Sequence, residues 1–284
     1  MRQSDFPSDC CAADGKIRYN IRCFTEDVWS IRVRYAIFSD VHAYPRALEK
    51  VLAERTVRKA DMRICLGDVV GYGPDPAGAV ALCREACDVV TAGNHDAAVA
   101  GRIDSRSFIP RAQEAVALHR GMLEEDALAW LADLPMSDLR EDFISIHGEV
   151  HQRDGRLAAG FGYVMHGIDA ERVFSALPAE ISLVFVGHTH AMDVWEQDSQ
   201  GLIRQLPPSD FRRRKDRRYI VNVGAVGYPR FERETTYVVY DSSKRTVAFK
   251  HLQFDFKDYL EAMERQGIVP PVWLIDHLRE NGMI

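Results

Sequence analysis

Short apolar runs that stop at a polar or glycine-containing turn recur through the first hundred residues. They are RYAIFSD (34–40), MRICLGD (62–68) and CDVVTAGNHD (87–96), each read as a buried strand followed by a turn. Between them, residues 44–58 and 75–86 carry apolar positions at helical spacing, with Pro45 and Pro76 in their first turns. The order strand–helix–strand–helix–strand is the signature of a parallel α/β sheet. A mostly helical stretch follows from Phe108 to Leu134. Strand patterns then return at 142–147, 181–190, 192–197, 218–224, 235–241 and 245–254, and two helices close the chain. No internal repeat or low-complexity linker interrupts this. The pattern predicts one domain of two packed sheets with helices outside both.

Composition narrows the class. The chain has 284 residues, 46% hydrophobic and 27% charged, with net charge -6. That suits one large domain with a sizeable core, and it excludes a global basic field for nucleic acid. No apolar run reaches the roughly 20 residues of a membrane helix. Residues 1–32 lack the apolar core of a secretory signal and are expected to form a poorly ordered extension, with translation from Val33 as an alternative. Residues 33–284 are expected to form the single domain. The six cysteines form no C-x-x-C pair; Cys83 and Cys87 read as buried thiols of a helix. This usage fits a reducing cytoplasm.

The polar residues at the predicted strand ends change the picture. Asp40 and His42 follow the first strand, Asp68 the second, and Asn94, His95 and Asp96 the third. His147 follows a later strand, and His188 and His190 follow another. In parallel α/β sheets the ligand site lies outside the carboxyl ends of the strands, so these groups share one edge. Helix capping does not explain so many histidines there, although a cap stays open for Asp96. In an extended D-x-H or H-x-H, residues two apart share a face and can reach one ion. Glycine before Asp68, Asn94 and His188 is expected to relax the backbone for close approach to ions. Carboxylate, amide and imidazole together suit Mn, Fe, Ni or Zn. Seven side chains (Asp40, His42, Asp68, Asn94, His147, His188 and His190) are too many for one ion. They suit two ions roughly 3.5–4 Å apart, if one carboxylate bridges.

The ordered motifs DVH (40–42), GDVVG (67–71), GNHD (93–96), HG (147–148) and GHTH (187–190) resemble the calcineurin-like metallophosphoesterases over about residues 34–250. The resemblance implies an α/β fold, a four-layer α/β/β/α sandwich of two mixed sheets with its metal site at the strand C-terminal ends. It implies that Asp40, His42 and His190 hold a first metal and Asn94, His147 and His188 a second, with Asp68 bridging. It further implies a hydrolase in which a metal-bridging hydroxide attacks phosphorus. His95 would then stabilise phosphate charge or protonate the leaving oxygen, and Asp96 would orient His95.

Within that family the phosphoprotein phosphatases carry G-D-x-x-D-R-G, whereas this chain has Gly71 and Tyr72 in place of the Asp and Arg. GDVVGYGPDP (67–76) and NVGAVGYPRF (222–231) are closer to the small bacterial and archaeal phosphoesterases. Ala225 and Tyr228 depart from the usual pattern of the second motif. The expected substrate is a small phosphomonoester or phosphodiester, a nucleotide among the candidates, with weaker substrate-contact assignments for Tyr72, Arg153, Tyr228 and Arg230. His151, Arg153 and Arg156 lie in a segment, 149–167, that usually faces substrate in such proteins. His119, His166, His251 and His277 belong to no motif and are expected to be structural. No membrane partner is expected, and a homo-oligomer is left open. A nuclease, resting on the basic run 212–218, and a non-catalytic scaffold are the alternatives.

Overall fold

The computed structural model describes residues 33–231 and 233–282. The extension expected over 1–32, with its three cysteines, lies outside them. Strands and helices are numbered in chain order.

The first sheet opens with a parallel trio, β1 (Arg34–Phe38), β2 (Met62–Cys65) and β3 (Val89–Val90). Beyond β1 it continues antiparallel through β13 (Glu234–Asp241), β14 (Thr246–Gln253) and β11 (Phe211–Arg212). The second sheet runs β10 (Ile203–Leu206), β9 (Met192–Gln197), β12 (Arg218–Val223), β8 (Leu183–Val186), β5 (Ile144–Ile146) and β4 (Ser137–Leu139). Its inner pairs β12–β8 and β8–β5 are parallel. A separate hairpin, β6 (Glu149–Arg153) with β7 (Arg156–Gly160), follows β5.

Strand alternation builds the layers, because successive side chains leave opposite faces. In β1, Tyr35 and Ile37 join Phe143, Phe185, Val221 and Tyr240 in the core between the sheets. Ala36 and Phe38 turn to the other face, onto α1 (Pro45–Ala53), α3 (Pro76–Ala86) and α5 (Pro110–Met122). That helical layer also receives α6 (Glu125–Asp133), α8 (Phe256–Arg265) and α9 (Val272–Glu280). On the far side, Val184 and Val186 of β8 and Ile220 of β12 pack against α7 (Gly167–Ala176). The result is the expected α/β/β/α sandwich. The two β faces bury their apolar side chains against each other and against helices, which is what two-sided apolar strands require.

Some boundaries differ from the sequence pattern. The helix expected over 44–58 breaks at Glu54, whose backbone is extended (φ -61°, ψ 136°), giving α1 and a single turn, α2 (Arg55–Arg58). Asn94–Val99 forms a short α4 immediately after β3. Residues 149–160 of the segment expected to face substrate form the β6–β7 hairpin around Asp154 and Gly155, both at positive φ. β4, β10 and β11 are short, half-exposed edge strands with weak alternation.

Of the basic run 212–218, Arg213, Arg217 and Arg218 are engaged within the fold, whereas Arg212, Arg214 and Lys215 are exposed. Arg218 donates to the carbonyls of Phe174, Leu177, Pro178 and Ile181 at 2.8–3.3 Å. Arg213 is buried, bonds Asp142 at 3.2 Å and lies over the Tyr240 ring. Arg217 pairs with Asp198 at 3.0 Å, and Arg214 with Asp216. No helix of the described residues is long and apolar enough to cross a membrane.

Candidate metal centre

The loops after β1, β2 and β12 are tied to one another before any side chain is considered. His42 N donates to Asp68 O at 2.9 Å, Ala43 N to Val69 O at 2.8 Å, and Gly227 N to Asp40 O at 2.9 Å. The local backbone is strained. Asp40, His42, Asp68, His188 and His190 all have positive φ, between 47° and 69°, a region non-glycine residues rarely occupy. Such conformations cost of order 1–3 kcal/mol each and persist where surrounding structure imposes them, which happens most often at functional sites.

That backbone gathers the predicted side chains. Asp40, His42 and His190 bring one ligating atom each to within 4.8 Å of one another, and Asp68, His147 and His188 form a second such group. Asp68 also groups with His42 and His95, so it stands between the two clusters. All seven predicted ligands are buried. His190 Nε2 lies 3.2 Å from Asp40 Oδ1, and His147 Nε2 lies 3.3 Å from Asp68 Oδ2.

The ring orientations are set from behind. Nδ1 of His42 contacts the Val70 carbonyl at 3.1 Å, that of His147 the Leu66 carbonyl at 3.1 Å, and that of His190 the Tyr228 carbonyl at 2.6 Å. A carbonyl only accepts, so each Nδ1 carries the proton and each Nε2 is presented to the site. His42 Nε2 and His190 Nε2 then meet at 3.1 Å. Two such nitrogens need a positive centre between them, either a shared proton or a metal ion that both can ligate. Asp40 Oδ1 and Asn94 Oδ1 are buried with no hydrogen-bond partner. Orphaned acceptors in a pocket of imidazoles and carboxylates fit divalent cations with an N/O preference.

Electrostatics points the same way. Burial opposes the charge of Asp68, yet His147, His95 and His42 hold its carboxyl well below the usual range. Burial likewise opposes the charge of Asp40, which His190, His42 and His147 keep low. Burial would lower His147, but Asp68, Asp40 and Asp96 push it up to about 9. Burial holds His188 down to about 4 and His190 well below the ordinary histidine value, so both offer neutral rings.

His95 sits beside the clusters, 4.6 Å from the Tyr72 ring and 5.4 Å from Phe108. Burial lowers it to about 3. Its backbone N–H donates to Asp68 Oδ1 at 2.9 Å, and its Nδ1 is turned inward without a partner, leaving Nε2 for the site. Asp96 differs from the orienting partner expected of it. Its two oxygens accept from Gly93 N at 3.0 Å and Val70 N at 3.1 Å, and no bond joins it to the His95 ring. It caps α4 and pins the following loop. Burial, then Asp68, raises its pKa to about 7.

Of the weaker assignments, three are gathered at the mouth. Tyr72 and Tyr228 stack at 4.5 Å and 13°, and the Arg230 guanidinium lies 5.3 and 5.2 Å from the two ring centres. Arg153 is not gathered: it pairs with Arg156 at the exposed tip of the β6–β7 hairpin, because the segment runs outward as strands. The site-facing residue of that segment is Tyr163, stacked on His188 at 4.0 Å and 16°. Only its place shortly after His147 hinted at this. His119 is structural, as expected. It is fully buried, accepts from Gly71 N at 2.9 Å and bonds Gly73 O at 2.9 Å, and so holds the loop that carries Tyr72.

Comparison with known proteins agrees with this geometry. Residues 33–245 match the model of the calcineurin-like phosphoesterase superfamily domain. An uncharacterized protein of Methanocaldococcus jannaschii is 25% identical over 253 residues, spanning 87% of this chain and 98% of that protein. Among solved structures, a metallophosphoesterase from Sphaerobacter thermophilus is 29% identical with a TM-score of 0.70, covering 86% of this chain and 97% of that one. A hypothetical protein from Pyrococcus horikoshii shares the fold at a TM-score of 0.64 and 16% identity, covering 87% and 97%.

Proposed function

The chain belongs to the calcineurin-like phosphoesterase superfamily, and on that premise we propose that it hydrolyses a small phosphate ester, monoester or diester, at a two-metal centre. The observation that carries the reading is the meeting of His42 Nε2 and His190 Nε2 at 3.1 Å beside Asp40 Oδ1, with their Nδ1 atoms committed to backbone carbonyls. This arrangement is built to surround a cation.

Asp40, His42 and His190 would hold one ion, and Asn94, His147 and His188 the other, with Asp68 shared. Two divalent ions, when bound, supply Lewis acidity toward phosphoryl oxygens and lower the pKa of water at the site. The chain does the rest. The carbonyls of Val70, Leu66 and Tyr228 hold the Nδ1 side of the ligand rings, so that each Nε2 faces the site. His95 Nε2, on the Tyr72 side of the centre, is placed to donate to a phosphoryl or leaving oxygen. Arg230, carried over two stacked rings at the mouth, supplies a charge that phosphate can engage.

The test is hydrolysis of p-nitrophenyl phosphate and bis-p-nitrophenyl phosphate by metal-stripped protein with Mn, Ni, Fe, Zn or Mg restored. Turnover that requires metal supports the reading, and the preferred compound separates monoesterase from diesterase. A folded, metal-loaded protein that turns over neither ester contradicts it and revives the scaffold alternative.

A further inference from the structure

His95 is the group proposed to meet the phosphate, yet no hydrogen bond orients its ring. Its Nδ1 is buried without a partner, and both oxygens of Asp96 are spent on backbone N–H groups. Packing must set the ring instead, and the turn Gly71–Gly73 supplies it. A Cβ at Gly71 would stand 2.4 Å from His95 Nδ1 and 2.6 Å from its Cγ, so this backbone lies flush on the ring. The ring centre of the next residue, Tyr72, is 4.6 Å from that of His95.

The turn is held from behind. Gly71 and Tyr72 are both at positive φ, 98° and 59°, and the second is a conformation that non-glycine residues rarely adopt. Gly73 N closes the turn onto Gly71 O at 2.7 Å. His119, in the last turn of α5, grips both ends of it: its Nδ1 accepts from Gly71 N at 2.9 Å, and its Nε2 lies 2.9 Å from Gly73 O. An amide N–H only donates and a carbonyl only accepts, so the His119 ring is neutral with its proton on Nε2. One rigid, fully buried ring therefore fixes the spacing of Gly71 and Gly73. The preceding residue, Val70, is fixed by other groups: its N–H donates to Asp96 and its carbonyl meets His42 Nδ1. Support of the metal ligand His42 and support of the turn against His95 are thus divided between adjacent residues.

We propose that His119 is a positioning residue for His95: by clamping Gly71 and Gly73 it holds their backbone against the His95 ring and so aims Nε2 at the phosphate. This is the orienting role that Asp96 does not fill. It rests on the phosphoesterase reading above, in which His95 donates to a phosphoryl or leaving oxygen. Because His119 acts through His95 and not through the ligands, its loss is read in kcat, with KM and metal content spared.

The experiment is a double-mutant cycle on full-length, Mn-loaded protein with p-nitrophenyl phosphate. Wild type, His119→Leu, His95→Ala and the double variant are compared. His119→Leu is expected to lower kcat roughly ten- to a hundredfold, the scale on which a misplaced group costs rate, with KM and metal content within about twofold of wild type. In the His95→Ala background the same change should cost less than about twofold, because no ring remains to be aimed. His119→Asn, whose amide oxygen takes the place of Nδ1 and accepts from Gly71 N, should recover part of the loss. If His119→Leu does not fold, His119→Gln takes its place in the cycle. An unchanged kcat, a loss that multiplies with that of His95→Ala, or a fall in metal content overturns the assignment. NMR of Zn-loaded protein reads the same claim without turnover. The His95 ring signals, identified by their absence from His95→Ala, should move in His119→Leu and return toward wild type in His119→Asn. Asn also lacks a ring, so the return reports position and not the loss of a neighbouring ring current. Unmoved signals overturn the clamp. A wild type that hydrolyses no ester counts against the phosphoesterase reading, and the NMR comparison then decides by itself whether His119 sets the His95 ring.

Discussion

A Cβ at Gly93 would stand 2.0 Å from Oδ1 of Asp68. The φ of Gly93 is -87°, which any residue adopts, so glycine is required there by the neighbouring carboxylate and not by backbone angle. Gly187 has the same reason, its Cβ position lying 2.1 Å from Ser39 Oγ and 2.7 Å from Asp40 Oδ2. Gly67 combines both demands, with φ 104° and a Cβ position 2.4 Å from Gly93 N, and so does Gly71, with φ 98° and a Cβ position 2.4 Å from His95 Nδ1. Gly93 and Gly187 clear space for the carboxylates that face the metals.

Gly93→Ala is therefore expected to displace Asp68. Overpacking of this kind costs about 1–3 kcal/mol, and here the strain falls on the shared ligand. Metal affinity measured by competition with a chelator should fall at least about tenfold. Unchanged affinity would show that Asp68 does not bridge.

His95→Ala separates ligation from chemistry. His95 groups with His42 and Asp68, so its ring could be taken for a ligand. The proposed role is proton or hydrogen-bond donation, so the variant should keep its full metal content while kcat falls by about 10²–10⁴. Asn94→Ala should lose both. Loss of one ion from His95→Ala would move His95 into the ligand set.

Metal should stabilise the fold by mass action. A ligand at a hundred times its Kd adds about 2.7 kcal/mol, enough to raise Tm by several degrees in a domain of this size. Asp40→Asn and Asp68→Asn should blunt the Mn-dependent rise in Tm seen by calorimetry. A rise of equal size in both variants would place the stabilising ion elsewhere.

His119 should give stability a pH slope. Burial lowers it from its ordinary 6.5 to about 4, with the Gly73 carbonyl opposing that shift and His42 adding to it. Between those values the unfolded chain binds a proton at this position that the folded chain excludes. Stability contributed here is present above pH 6.5 and is lost as pH falls toward 4. The loss is on the order of 3 kcal/mol at most. His119→Gln should flatten that part of the urea-denaturation profile relative to wild type; an identical slope would contradict the burial argument.

The layers and the ligands were legible in the sequence because both rest on local pattern. Apolar runs set β1, β2, β8 and β12, and a polar cluster at a strand end is visible without knowing what it meets. What escaped depends on contacts between distant segments. Trp273 is separated from Tyr228 by two strands and a helix, and nothing in its neighbourhood announces the contact. His119 looks like any helix histidine until the Gly71 and Gly73 backbone is found against it. In the basic run 212–218, Arg212, Arg214 and Lys215 are exposed as charged residues usually are, but nothing local to the sequence announces that Arg218 ties the α7–β8 connection. Asp96 was compatible with two roles, and its hydrogen bonds favour the cap.

The central claim is a two-ion hydrolytic centre, and metal titration of stripped protein tests it most directly. Mn is added in equivalents while bound metal and p-nitrophenyl phosphate or bis-p-nitrophenyl phosphate hydrolysis are followed together. The account predicts saturation at two ions per chain, with hydrolysis rising to its plateau as the second site fills. Folded protein that binds no Mn, Ni, Fe or Zn, or that fills both sites and hydrolyses neither ester, would contradict it.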